Sequence, residues 1–303
     1  MGFFKRKSDV YGALIEGAEG VSYTSFYHDA MKRLKKDKVA MVCLCVVIII
    51  ALAAVFAPLI TPYEEDHMDI GNELAGPSAQ HWLGTDEFGR DIFTRIVYGS
   101  RVSLMVGLVA EAIAVAIGLI VGAVAGYYGG KVDAVLSRII EIFASFPHIL
   151  FAIVVMFVLG TGIINVFIAV GVVGWTGLAR VIRSQIMQLK QKEYVEAARA
   201  SGGRNMQIIF RHLIPNCLST IIVVATMNIP SDIMYEASLS FLGLGVQPPQ
   251  ASWGSMISEA RKFMRQNAGY SVFPGLALII TVLAFNLLGD ALRDALDPRL
   301  KNL

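Results

Sequence analysis

Val39 to Ile60, VAMVCLCVVIIIALAAVFAPLI, contains no charged residue. A helix needs about 20 apolar residues to cross the hydrocarbon of a bilayer, and this run supplies them. Further runs follow. Val102 to Tyr127 is broken only by Glu111, and Ile139 to Leu159 is interrupted by Glu141 and by Pro147-His148. Ile163 to Leu178 is shorter and contains glycine, Leu218 to Val246 encloses Asp232 and Glu236, and Val272 to Leu288 is the last. With 55% hydrophobic and 17% charged residues in 303, the chain falls well below the charged share of about a quarter usual for a soluble domain. Its apolar residues are gathered into long runs, which excludes a large soluble enzyme. The expectation is an all-α membrane protein with six transmembrane helices.

The net charge of +2 points to no nucleic-acid partner. Cys43, Cys45 and Cys217 form no disulfide framework, and the first two read as small hydrophobes inside an apolar run. The first forty residues are polar and lack the early apolar stretch of a signal peptide. With both termini placed in the cytoplasm, twenty of the 26 Lys and Arg residues fall on that side. The loop after the first span collects acids instead: Glu64, Glu65, Asp66, Asp69, Glu73, Asp86, Glu87 and Asp91. That asymmetry fits the positive-inside rule and an even number of spans.

Ser25 to Lys38 spaces Phe26, Tyr27, Ala30, Met31 and Leu34 helically among lysines, which predicts an interfacial helix on anionic lipid. Gly118, Gly122 and Gly126 form a stripe at every fourth residue, which lets a neighbouring helix approach closely. Asn228, Asp232 and Glu236 share one face of the fifth span, with Pro230 among them predicted to bend or unwind the helix. Acids inside a membrane span are costly and face protein or water. The stripe therefore either walls a water-filled path or holds helices together. Gly129-Gly130-Lys131 lacks the first glycine and the Ser/Thr of a phosphate loop, and His28, His67, His81, His148 and His212 show no ligand spacing. No catalytic, cofactor or metal-ligating set is expected on this chain.

Between the fourth and fifth spans lies EYVEAARASGGRNMQIIFRHLIPN, Glu193 to Asn216. Tyr194, Ala197, Ala198 and Ser201 share a helical face, and three of the four are small, so this helix can sit deep in a groove of another protein. Gly202-Gly203 suits a left-handed helix cap. A second short helix, Asn205 to His212, is expected to bury Met206, Ile209 and Phe210, and Pro215 to stop it by turning Ile214 away from helix.

Glu196, Ala197, Ala198 and Gly202, followed by Ile214-Pro215 where the family usually has Leu-Pro, resemble the EAA coupling loop of ABC importer permeases. HWLGTDEFGRDIFTRIVYGSRVSL (His81 to Leu104), ASLSFLGLGVQPPQASWGSMI (Ala237 to Ile257) and LAFNLLGDALRDALDPRL (Leu283 to Leu300) are similar to the C-type permease subunit of dipeptide, oligopeptide and nickel importers. The resemblance implies a type I ABC importer permease fold in the bacterial cytoplasmic membrane. It implies a homologous B-type permease partner, two cytoplasmic ATPase subunits that carry the ATP and Mg, and an extracytoplasmic peptide-binding protein. Tyr194, Glu196, Ala197, Ala198, Ser201, Gly202, Gly203, Ile214 and Pro215 would couple this chain to the ATPase. Asn228, Asp232 and Glu236 are the candidates for the translocation path. The implied cargo is a di- or oligopeptide, with nickel or another small solute as the alternative. Outside the class, a secondary transporter would be expected to show inverted repeats, and none is legible. The organisation read from the chain is a flexible tail at 1–24, an N-terminal region at 25–100, a transmembrane domain at 101–291 with the coupling loop at 190–216, and a cytoplasmic tail at 292–303. Loops 61–101 and 247–271, with Trp82, Gly84, Pro248, Pro249 and Trp253, would be ordered and face the binding protein.

Overall fold

A computed structural model describes residues 26–296. The predicted tail at 1–24 lies outside these, as do residues 297–303 of the tail predicted at 292–303. Among the described residues the only β-pairing is an isolated bridge between Thr85 and Asp91. Helix α1 (Phe26–Lys36) is followed at once by α2 (Lys38–Val55). Asp37 separates them and starts α2: its Oδ1 accepts from the amides of Val39 and Ala40, at 2.9 and 3.1 Å. Ala30 and Leu34 of α1 are buried, and Leu34 packs with Leu292 and Ala295 near the C-terminal end of the described chain, while Met31 stays exposed. Helix α2 is apolar all round but buries only Ala40, Cys43 and Ala54. That pattern belongs to a peripheral helix in an apolar solvent. Cys43 is buried and Cys45 exposed, so the two thiols do not share a site.

A single turn, α3 (Ala57–Ile60), leads into an irregular segment that ends where Asp91 caps α4 (Ile92–Tyr128). The predicted start at Val102 was ten residues late. The first turns of α4 carry Thr94, Arg95, Ser100 and Arg101 and pack on protein, so they add nothing to an apolar run. At 37 residues α4 is about 55 Å long and links both ends of the molecule. The irregular segment is pinned at its end of the bundle by polar contacts. His81 is buried, with Nδ1 3.0 Å from Asp91 and Nε2 3.2 Å from Asp69, and it stacks on Tyr63. Hydrogen bonds from Asn72 and His81 hold the Asp69 carboxyl below the usual carboxylate range. Trp82 is exposed, whereas Trp253 is buried and gives its indole N–H to the Ile96 carbonyl at 3.1 Å.

Arg95 joins this segment to the chain's other end. It is 1% exposed, and its Nη1 donates to Asp86 at 2.7 Å and to Glu259 at 3.0 Å. Arg90 donates to the same Asp86 oxygen at 2.6 Å. Arg95→Met would leave the buried Asp86 and the partly exposed Glu259 short of a partner, which costs about 3 kcal/mol or more. The expected result is a lower unfolding temperature of the purified complex, with protease cleavage gained between residues 61 and 91. An unchanged cleavage pattern would show that the cluster does not hold the segment.

The third predicted span is in fact two helices, α5 (Gly130–Ala144) and α6 (His148–Leu159), bent by 88° at the break. Pro147 has no amide hydrogen and disfavours helix at Phe146, so one straight rod is not available there. Helix α7 (Ile163–Leu189) runs well past its apolar stretch. After it come α8 (Glu193–Ala200), α9 (Asn205–Ile208), a π-helical turn (Ile209–Leu213) and α10 (Ile214–Phe241). The described residues close with α11 (Trp253–Ala260), a 3₁₀ turn (Arg261–Phe263) and α12 (Gly269–Leu296), so helix continues beyond residue 292. Five of these helices are long and apolar enough to cross a membrane, and six if the bent pair counts as one span.

Helices α4 and α7 form the central pair. Gly118, Gly122 and Gly126 lie against the α7 backbone at Trp175, Ala179 and Arg183. Both partners step by four residues, so each glycine meets the next turn of its neighbour.

Candidate functional site

Two features stand out, one at each depth of the bundle. The first is the bracket from Lys190 to Leu213, at the end of the molecule opposite the irregular 61–91 segment. Its helix α8 is held by a single buried residue, Val195, which packs with Ile182, Ile186, Ile208, Ile209 and Leu213. The opposite face is left open: Tyr194, Ala197 and Ser201 are exposed and Ala198 is half-buried. Gly202 has φ +81° and its amide donates to the Arg199 carbonyl at 3.0 Å, while the Gly203 amide donates to Ala198 at 3.1 Å. That pair of bonds reverses the chain after α8. A Cβ on Gly203 would come within 2.8 Å of the Ala198 carbonyl oxygen, whereas one on Gly202 would meet nothing.

The bracket is fastened to the end of α4. Tyr127 donates to Asn205 Oδ1 at 2.8 Å, Lys190 Nζ donates to the Gly126 carbonyl at 2.8 Å, and Arg199 lies over the Tyr127 ring. Arg183 pairs with Asp133, tying α7 to α5. The second half of the bracket departs from the sequence reading. Ile208, Ile209 and Leu213 are the buried residues, and Met206 and Phe210 are 57% and 65% exposed. Nor does Pro215 stop a helix. Ile214 is helical (φ −56°, ψ −46°) and Pro215 stands in the first turn of α10. The π turn of Ile209–Leu213 admits one extra residue just before the proline, so the amide that proline lacks is not needed by a regular turn.

The second feature is a polar cavity of 310 Å³ among α4, α6, α7 and α10. Glu111, Asn228 and Asp232 line it, with His148, Thr176 and Arg180. Asn228 Nδ2 donates to Glu111 Oε1 at 3.3 Å, and His148 Nδ1 lies 3.2 Å from the Tyr235 hydroxyl. A larger cavity of 660 Å³ adjoins it through Val224 and Asn228 and adds Gln185, Asn216, Thr220 and Arg293. The predicted stripe is thus divided. Glu236 is fully buried, taking hydrogen bonds from Ser103 at 3.3 Å and Ser240 at 2.7 Å, and lines neither cavity. Pro230 does not unwind α10, which is helical throughout. Glu111 was the residue missed as a partner for the stripe. Its signal was present, as the one acid in an otherwise apolar run.

Residues 118–302 match the family described as the binding-protein-dependent transport system inner membrane component, and residues 25–77 match the N-terminal transmembrane domain of oligopeptide transport permease C. The chain belongs to this family of inner-membrane transport permeases. Among its relatives, the dipeptide transport system permease protein DppC of Alkalihalophilus pseudofirmus is 45% identical over 91% of each chain. The glutathione transport system permease protein GsiD of Escherichia coli is 46% identical, again over 91% of each. In fold the permease is similar to a chain of the MetNI methionine ABC transporter, solved in inward-facing conformations. The TM-score is 0.51 at 22% identity, covering 66% of this chain and 95% of that one. The permease is therefore a multi-pass inner-membrane protein with a transport role, and the resemblance to C-type permeases extends along nearly its whole length.

Proposed function

We propose that this permease subunit forms, with a homologous B-type partner, the path for di- or oligopeptides delivered by an extracytoplasmic binding protein. Two cytoplasmic ATPase subunits, holding ATP and Mg, drive it through the bracket. The observation that carries the coupling role is the open, small-residue face of α8 on a bracket anchored to α4. Similarity to dipeptide and glutathione permeases supports the cargo class. Reconstitution with the partner subunits tests the whole reading. Uptake of a labelled dipeptide should require ATP and the binding protein and should persist when an ionophore collapses ion gradients. Uptake of nickel but not peptide would overturn the cargo, and uptake abolished by the ionophore would overturn the class.

The distribution of basic residues supports a cytoplasmic position for both termini and the bracket. Because one helix, α4, joins the 61–91 segment to the bracket, labelling must differ between the two ends. In a background without Cys43, Cys45 and Cys217, an impermeant thiol reagent applied to right-side-out vesicles should mark cysteines at Ser78 and Gln250, both exposed, and spare Ser201. Labelling at Ser201 would reverse the orientation.

A further inference from the structure

We infer that the cavity between α4, α7 and α10 is a binding site for a primary ammonium group, in particular the free amino end of a transported peptide. This rests on the import reading above and adds the chemical group that the path recognises. Asp232 is 4% exposed, yet its Oδ2 has no hydrogen-bond partner among the described residues, and the same holds for Thr176 Oγ1 at 1% exposure. Both residues line the cavity. Buried polar atoms without partners are rare, because each forfeits its hydration. Two around one cavity mark a place where a ligand supplies the missing donors.

The chemistry of the wall selects that ligand. Asn228, one helical turn before Asp232 on α10, bonds Glu111, and both carboxyl groups line the same space. Two carboxylates facing one poorly screened space repel when both are ionised, and a cation between them converts repulsion into attraction. Asn228 gives one of its two amide N–H groups to Glu111, which orients the side chain and leaves its carbonyl oxygen as an acceptor. An ionised Asp232 and the Asn228 carbonyl oxygen can only accept, Thr176 Oγ1 can accept as well as donate, and an ammonium has three N–H donors to match these three. Its volume, on the order of ten water molecules, is far larger than a bare ion needs. Arg180 lines the same cavity, which works against an inorganic cation and suits a ligand with a negative end as well. His148 and Tyr235, the other titratable groups on the wall, are engaged with each other.

The test uses the assembled transporter in nanodiscs, without binding protein. It is titrated with Ala-Ala, with N-acetyl-Ala-Ala, and with sodium or potassium chloride, while the melting temperature is followed. The same preparation is assayed for ATP hydrolysis stimulated by binding protein carrying Ala-Ala. Ala-Ala should raise the melting temperature, and the acetylated peptide should need at least tenfold more. Asp232→Asn and Glu111→Gln should each raise the half-saturating Ala-Ala concentration about tenfold, since each removes a charge-assisted bond. Thr176→Val keeps every charge and should raise it about fivefold, which provides a readout if the acidic variants fail to assemble. Equal responses to the two peptides, a response to the salts alone, or unaltered binding in Thr176→Val and whichever acidic variant assembles would overturn the site. A wild-type complex that discriminates the two peptides but shows no peptide-stimulated hydrolysis would support the site and overturn the import reading instead.

Discussion

Gly122→Leu is expected to remove most of the folded permease from the membrane. A Cβ at this position would sit 2.6 Å from the Ala179 carbonyl oxygen, 3.0 Å from Ile182 Cβ and 3.2 Å from the Arg183 amide nitrogen. Two of these three are backbone atoms of α7, so no side-chain rotation relieves the contact. The helices must part, and the separation is shared by Gly118 and Gly126, whose added Cβ atoms would also meet the α7 backbone, at 3.1 and 2.7 Å. Lipid supplies no hydrophobic force to hold helices together, so close packing is a main source of their association. Overpacking costs about 1–3 kcal/mol even where side chains can move, and here the loss should reach the upper end or beyond. Gly275→Ala is the control: its new Cβ meets nothing within 4 Å. Membrane level and detergent unfolding temperature should fall sharply for Gly122→Leu, less for Gly122→Ala, and hardly at all for Gly275→Ala. Equal behaviour of the three would show that the α4–α7 seam is not the limiting contact.

The second large effect should leave the fold standing. Gly202→Val places a β-branched residue at φ +81°, a strain of about 1–3 kcal/mol, with no atom in the way of its side chain. The inexpensive escape is for the turn to relax and α8 to swing on its one buried anchor, Val195. Insertion and complex recovery should stay near normal, while binding-protein-stimulated ATP hydrolysis and uptake fall together by tenfold or more. Gly202→Asn, which accepts the left-handed region more readily, should retain most activity. Ala197→Asp tests the exposed face itself, because an unpaired charge in an interface is strongly unfavourable. If Gly202→Val and Ala197→Asp both transport at the wild-type rate, the bracket is not the joint with the ATPase.

Much of this protein is decided locally. Apolar runs of bilayer length made the helices and their number legible, because a membrane imposes a length that any sequence can be measured against. The left-handed turn at Gly202 was legible for a similar reason, since few residues tolerate that conformation. Helix ends were less so. Helix α4 begins at Ile92 and α7 continues to Leu189 because their polar terminal turns pack on protein, which an apolar count does not register. The burial of Ile208 in place of Met206 depended on which side of α9 meets Val195 and Ile182, and nothing local announces that side or the π turn that follows it. The division of the Asn228–Asp232–Glu236 stripe lay further out of reach. All three share a helical face, and only the neighbours that α4 and α7 bring to each turn determine their surroundings. Ser103 encloses Glu236, while Glu111 and Thr176 border the open space at Asp232. Spacing along the chain sets which side chains point the same way; what they point at is a property of contacts between residues far apart in the sequence.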